Sequence, residues 1–211
     1  MNRALIMKKR LTRQESRALT QEKLLQSAAR IIARKGFAGA SIEEIAENAG
    51  FSRGAFHSNY KSKDALFLEL VEKQVKSLTA SIHATLKVAQ APEETLKHLG
   101  DAYSYYSGAD KDAFLLLTEA QLFALRNPRF GKKLNALFDG IYSDLIDAVN
   151  SFQQQLGIED PEFAQRMVLI GFALSHGFAL HNLMNPEKFS DQMVSKSLQF
   201  VYERFFNKDQ A

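Results

Sequence analysis

The stretch SIEEIAENAGFSRGAFHSNYKSKDALF, Ser41 to Phe67, packs a helix cap, a glycine stop and a second cap so closely that only short helices joined by a tight turn can fit it. Ser41 followed three residues later by Glu44 reads as a capping box, in which each side chain satisfies a free backbone N–H of a starting helix. A helix should therefore begin at Ile42, with Ile42, Ile45, Ala46 and Ala49 on one face. Gly50 then supplies the left-handed backbone geometry of an abrupt stop, and Ser52 can cap the next helix. On that helix Arg53, Gly54, His57 and Ser58 share one side, while Phe56 and Tyr60 sit near the opposite side, four residues apart. One face packs and the other reaches outward. This is the pattern of a helix-turn-helix, whose second helix enters the DNA major groove.

Composition bounds what surrounds this device. With 211 residues, 45% of them hydrophobic, and only 4 prolines, the chain can bury one sizeable core or join a small domain to a larger one. No run approaches the roughly 18 uncharged apolar residues of a membrane span, and the N-terminus lacks a signal-peptide apolar core, so a soluble cytoplasmic protein with no membrane partner is expected. The absence of cysteine excludes disulfides, thiolate metal sites and cysteine nucleophiles. Residues 1–63 hold 13 Lys and Arg against 5 Asp and Glu, whereas the remainder holds 14 against 19. A cationic N-terminal portion suits a polyanion bound through counterion release, and the acidic remainder does not. Arg3, Lys8, Lys9, Arg10, Arg13 and Arg17 form a basic arm over residues 1–19, either touching DNA or serving as a soluble tail.

After the arm, Leu24, Leu25, Ala28, Ile31 and Ile32 predict a helix from Thr20 to Lys35, stopped by Gly36, with Phe37 and Phe51 filling a small core. Ser62 and Asp64 open a fourth helix running to about Ala89. Further helices are predicted from Pro92 to Tyr106, from Asp110 to Leu125, from Pro128 to Leu156, from Pro161 to Met184, and from Ser190 to Asn207. The fold class is all-α with about nine helices. Residues 20–65 form a three-helix DNA-binding domain and 66–211 a larger helical domain.

The elements just quoted, from the Ala-x-x-x-hydrophobic helix ending Lys35-Gly36-Phe37, through Ser41, Ile45-Ala46, Ala49-Gly50-Phe51-Ser52 and Gly54, to Phe56 and Tyr60-Lys61-Ser62-Lys63, resemble the tetracycline-repressor (TetR) family of transcriptional regulators. The match covers about Leu24 to Phe67; beyond it only length and helical pattern agree. The resemblance implies DNA contacts at Ser41, Ser52, Arg53, Gly54, His57, Ser58, Asn59 and Lys63. Ser41, Ser52, Asn59 and Lys63 suit phosphate oxygens, Arg53 can pair with guanine, and Gly54 lets the backbone approach closely. His57 stands where many members have Tyr, exchanging contact with a thymine methyl for a hydrogen bond.

The resemblance further implies a homodimer on a palindromic operator, joined through the last two helices, and a small apolar or amphipathic effector among the middle ones. Gly171, Ser175 and Ala179, spaced by four, would allow close helix approach, as would Ala173 with Gly177 on an adjoining face, with Met193, Ser197 and Phe205 from the final helix. Phe114, Phe138 and Phe172 are aromatic candidates for the effector site, and Gln121, Tyr142 and His176 polar ones; such residues equally suit plain core packing. Effector binding would shift the population toward a state in which the fourth helix swings and the operator is released. A DNA-binding adaptor or architectural protein without small-molecule control is the alternative. Catalysis is not expected. Ala173-Leu174-Ser175-His176-Gly177 resembles a hydrolase nucleophile elbow but falls inside a continuous helical pattern, His176 and His181 do not share a helix face, and no phosphate-binding glycine loop or cofactor motif is present.

Overall fold

The computed structural model describes residues 12–88, 111–155, 157 and 159–206. Among them there is no strand, and eight helices are present: α1 (Arg13–Gly39), α2 (Ile42–Asn48), α3 (Arg53–Asn59), α4 (Lys63–Val88), α5 (Lys111–Arg126), α6 (Pro128–Gln155), α7 (Phe163–Met184) and α8 (Asp191–Phe206). The helix expected from Pro92 to Tyr106 lies outside the described residues. The chain divides into two compact units, Met1–Leu70 and Val71–Ala211, with the boundary inside α4.

The N-terminal unit corrects one boundary. α1 begins at Arg13, not Thr20, because Thr12 and Glu15 form a reciprocal capping box: Glu15 N–H donates to Thr12 Oγ1 at 3.2 Å and Thr12 N–H to Glu15 Oε2 at 2.7 Å. These bonds hold the Glu15 carboxyl below its usual range. The apolar stripe starts only at Leu24, which assigns residues 13–19 to the basic arm, but the local cap suffices to start a helix there. Leu24, Ala28 and Ile32 are wholly buried, and with Ile45, Ala46, Phe56, Leu66 and Phe67 they form the core of the unit. Phe37 stacks on Phe67 with ring centroids 4.5 Å apart. Phe51, expected beside it, is half-buried beneath the Lys23 ammonium at 5.9 Å.

Phe37 reaches that place because the helix breaks at Gly36, whose φ of 74° and ψ of 165° are a conformation open essentially to glycine alone. The turn after the break leaves carbonyls that no helical N–H can satisfy. Lys63 supplies the donors, to the carbonyls of Phe37 at 2.8 Å and Ala40 at 2.7 Å, with its ammonium 4.3 Å from the centre of the Phe37 ring.

In the C-terminal unit Phe114, Phe163, Met167, Ala179, Val194 and Leu198 form a buried cluster joining α5, α7 and α8. The α7–α8 turn is fastened by the buried Asn182, whose amide donates to Phe189 O at 2.6 Å and to Asp191 Oδ1 at 3.0 Å. Arg166 pairs with Asp160 and Glu162 at the start of α7. Contrary to the sequence expectation, α7 is by length and composition long and apolar enough to cross a membrane, with a mean hydropathy of 1.4 over its most apolar window. Only 22% of that window is buried within the chain. The Ser175-His176 stretch lies in the middle of α7, with no strand-to-helix turn to expose a nucleophile.

Candidate nucleic-acid interface

The α2–α3 pair is built from its caps outward. Ser41 Oγ accepts from Glu44 N–H at 3.0 Å and Ser52 Oγ from Ala55 N–H at 3.2 Å, so each hydroxyl keeps its proton for an outside acceptor. The Glu44 carboxylate reaches toward α1, to Lys35 at 2.6 Å and Arg34 at 3.5 Å. Gly50, with φ of 80°, makes the turn, and Phe51 N–H closes it on Ala46 O at 2.9 Å. The buried Ser27 hydroxyl on α1 donates to Ile45 O at 2.8 Å, tying α2 down.

α3 is held by one side chain. Phe56 is wholly buried, a contribution of about 1.5–3 kcal/mol. Ser52, Arg53, Gly54, His57 and Ser58 are exposed together on the opposite side, and Ser41 is exposed at the start of α2. A Cβ at Gly54 would lie 3.7 Å from Ser52 Oγ, an ordinary contact, so nothing inside the protein requires glycine there.

Two of the eight expected contacts are engaged within the chain. Lys63 spends two of its three donors on the α1 carbonyls, and partial burial lowers its pKa, with Asp64 opposing. Asn59 turns its amide back to Ala55 O at 2.8 Å and buries its Oδ1 without a hydrogen-bond partner. Burial, followed by the Glu69 charge, raises the Tyr60 pKa. Neither Lys63 nor Asn59 presents its polar group outward as Arg53 does.

One residue of this face was missed in the sequence. Glu43, on the first turn of α2, places Oε1 2.7 Å from the Arg53 guanidinium. No local spacing rule links positions on two helices across a turn, so only the folded geometry identifies the pair.

In the C-terminal unit the effector candidates divide. Tyr142 meets Phe172 edge to face at 4.9 Å and Phe138 at 6.4 Å, and Phe114 lies 5.1 Å from His176. Burial raises the Tyr142 pKa, helped by Asp139, and lowers that of His176. Gln121 is exposed although it follows buried Leu117 by four residues on α5, and no ring contact links it to this group. Among the dimer candidates, Ala179 is wholly buried in the chain's own core, and Gly171 and Ser175 are half-buried on the stripe that runs from buried Met167 to Ala179. The outward stripe of α7 is instead Leu169, Ala173, Gly177, Leu180 and Met184. Gly177 faces open space. Met193 is exposed and half-buried Ser197 turns its hydroxyl back to Met193 O at 2.8 Å. Both line an open groove of about 480 Å³ between α7 and α8. The Phe205 side chain lies outside the described residues.

The family model described as bacterial regulatory proteins, tetR family, matches residues 24–70. Over 186 residues the chain is 35% identical to the uncharacterized HTH-type transcriptional regulator YdgC of Bacillus subtilis, covering 83% of this chain and 89% of that one. It is 34% identical over 103 residues to the uncharacterized HTH-type transcriptional regulator YerO of the same organism, where the match spans 47% of this chain and 35% of YerO. Among solved structures, the transcriptional regulator FadR from Bacillus subtilis in complex with stearoyl-CoA superposes with a TM-score of 0.72 at 17% identity, covering 86% of this chain and 96% of that one. That identity supports a common fold and nothing finer.

Proposed function

The chain belongs to the tetR family of bacterial transcriptional regulators, and from that premise we propose that it is a cytoplasmic repressor that occupies a palindromic operator as a homodimer and is released by a small apolar or amphipathic molecule. The observation that carries the DNA-binding part is the outward face of α3. It offers Arg53, Gly54, His57 and Ser58 to solvent while Phe56 is the side chain of α3 buried in the core. Arg53 presents a fork of donors that matches the O6 and N7 acceptors of guanine, and His57 can bond a base edge. The Ser41 and Ser52 hydroxyls suit phosphates that set the register. Gly54 admits the backbone close to the duplex.

Pairing of two chains supplies two such faces, which must lie about 34–36 Å apart to enter successive major grooves. The outward apolar stripe of α7 and the adjoining groove at Met193 support an isologous contact through this region, and a second copy accounts for the low burial of α7 better than lipid does. The rings of Phe138, Tyr142 and Phe172, with Phe114 and His176 nearby, form the proposed effector site: apolar walls with two polar atoms to orient a ligand. An effector that prefers the released state would shift the population by roughly 1–3 kcal/mol per site. The stearoyl-CoA bound by the FadR neighbour makes long-chain acyl thioesters the first compounds to try.

The test is selection of duplexes from a randomised pool by the full chain, followed by titration of the selected duplex. Arg53→Ala should weaken that duplex and relax one base position, and an effective acyl-CoA should raise the apparent Kd. If Arg53→Ala binds as the wild type does, the docking of α3 is wrong. If no compound changes the affinity, the adaptor without small-molecule control is the correct reading.

A further inference from the structure

Resting on this DNA-reading assignment, we propose that Glu43 is a specificity-determining positioning residue, which holds the Arg53 guanidinium at the tip of α3 by part of its donor fork and leaves the rest to the paired acceptors of a base edge. Two adjacent acids open α2 and have different partners: Glu44 is engaged by Lys35 and Arg34 of α1, whereas Glu43 Oε1 crosses the turn to Arg53 at 2.7 Å. Both members of the Glu43–Arg53 pair are largely exposed, as are the neighbouring cap residues Ser41 and Ser52.

An exposed ion pair adds little to folding. Glu43 meanwhile places a negative charge where phosphates must approach, which raises the energy of every complex with nucleic acid. The compensating gain lies in discrimination. Against random duplex the Glu43–Arg53 pair has no net charge, so Arg53 lends little to phosphate attraction. Against guanine, O6 and N7 offer two aligned acceptors that a guanidinium can meet with two donors, and the remaining donors of the fork can stay with Glu43. The acid thus suppresses wrong complexes more than right ones, which is specificity achieved by a repulsive element.

The experiment compares the full-length wild type, Glu43→Gln, Arg53→Ala and the double variant. The probes are a duplex recovered from a randomised pool by the wild type and a scrambled duplex of the same length, each titrated by fluorescence anisotropy over a series of salt concentrations. Glu43→Gln should bind the scrambled duplex about tenfold more tightly with a salt slope steeper by about one, as expected for one cation released to phosphate. Its affinity for the selected duplex should change by no more than about threefold, so discrimination falls. In the Arg53→Ala background the same substitution should leave discrimination unaltered. Equal tightening on both duplexes, no change on either, or the same loss of discrimination without Arg53 would each overturn the proposal. Failure of the wild type to recover any preferred duplex would instead overturn the DNA-reading assignment on which it rests.

Discussion

α3 and α7 each present a surface that their own chain does not use, and the two surfaces have opposite chemistry. α3 buries Phe56 and exposes a guanidinium, an imidazole, hydroxyls and bare backbone. α7 is apolar over most of its length, yet Leu169 is 64% and Met184 73% exposed. Directional donors reward a partner whose acceptors lie in fixed places, and lose most of their value if displaced by an ångström. Apolar side chains reward any partner that excludes water over a large area. On the function proposed above, the α3 face sets which partner is chosen, and the apolar α7 face sets how firmly an assembly holds.

The sharpest way to break this contrast is on the apolar side. Leu169→Glu enters a two-fold contact twice and should weaken dimerisation by about 3 kcal/mol, roughly a hundredfold, as read by sedimentation equilibrium. An unchanged association constant would move the interface off the outward stripe of α7. Next comes Gly36→Ala, which forces an alanine into a glycine-only backbone region and should cost the N-terminal unit about 1–3 kcal/mol in urea denaturation. Lys63→Met removes a charged donor from two carbonyls, a loss of about 1–2 kcal/mol, and should leave the salt slope of DNA binding intact, in contrast to Arg53→Ala. A flattened slope would return Lys63 to the phosphate contacts.

Gly54→Ala tests the reading face with little disturbance of the fold. No neighbour obstructs the added methyl, so folding stability should hold or rise by up to about 1 kcal/mol while affinity for the selected duplex drops. The smallest effect concerns His176. Burial lowers its pKa from the ordinary 6.5, so as pH falls below that value the unfolded chain takes up the proton first and stability declines toward the lowered folded value. His176→Phe should remove this component of the acid dependence of thermal unfolding.

How much could be read from the chain depended on how local the signals were. The α2–α3 turn announced itself because caps and glycines act on their immediate neighbours: Ser41, Gly50 and Ser52 cap and turn as their positions predicted, although Glu44, expected to complete a capping box, turns to Lys35 and Arg34 instead. The described helices from α4 onward were legible as apolar stripes, with boundaries within a few residues of those observed; the helix expected from Pro92 to Tyr106 falls outside the described residues. Their faces were harder. The stripe Gly171, Ser175 and Ala179 looked suited to a partner by spacing alone, yet Ala179 is covered by Val194 and Leu198 of the same chain, a contact set by where α8 packs. The family resemblance puts Lys63 among the phosphate contacts, and its second engagement is invisible to any local reading: the two carbonyls that take two of its donors lie more than twenty residues earlier and turn toward it only through the break at Gly36.

That break has a consequence for how the sequence can drift. A library randomised across the N-terminal unit and selected for folding alone should keep glycine at 36 and a long cation at 63, while 53 and 57 scatter freely. Selection for gene control should pin those last two as well. The ratio of the two constraint maps would trace, codon by codon, where architecture stops and vocabulary begins.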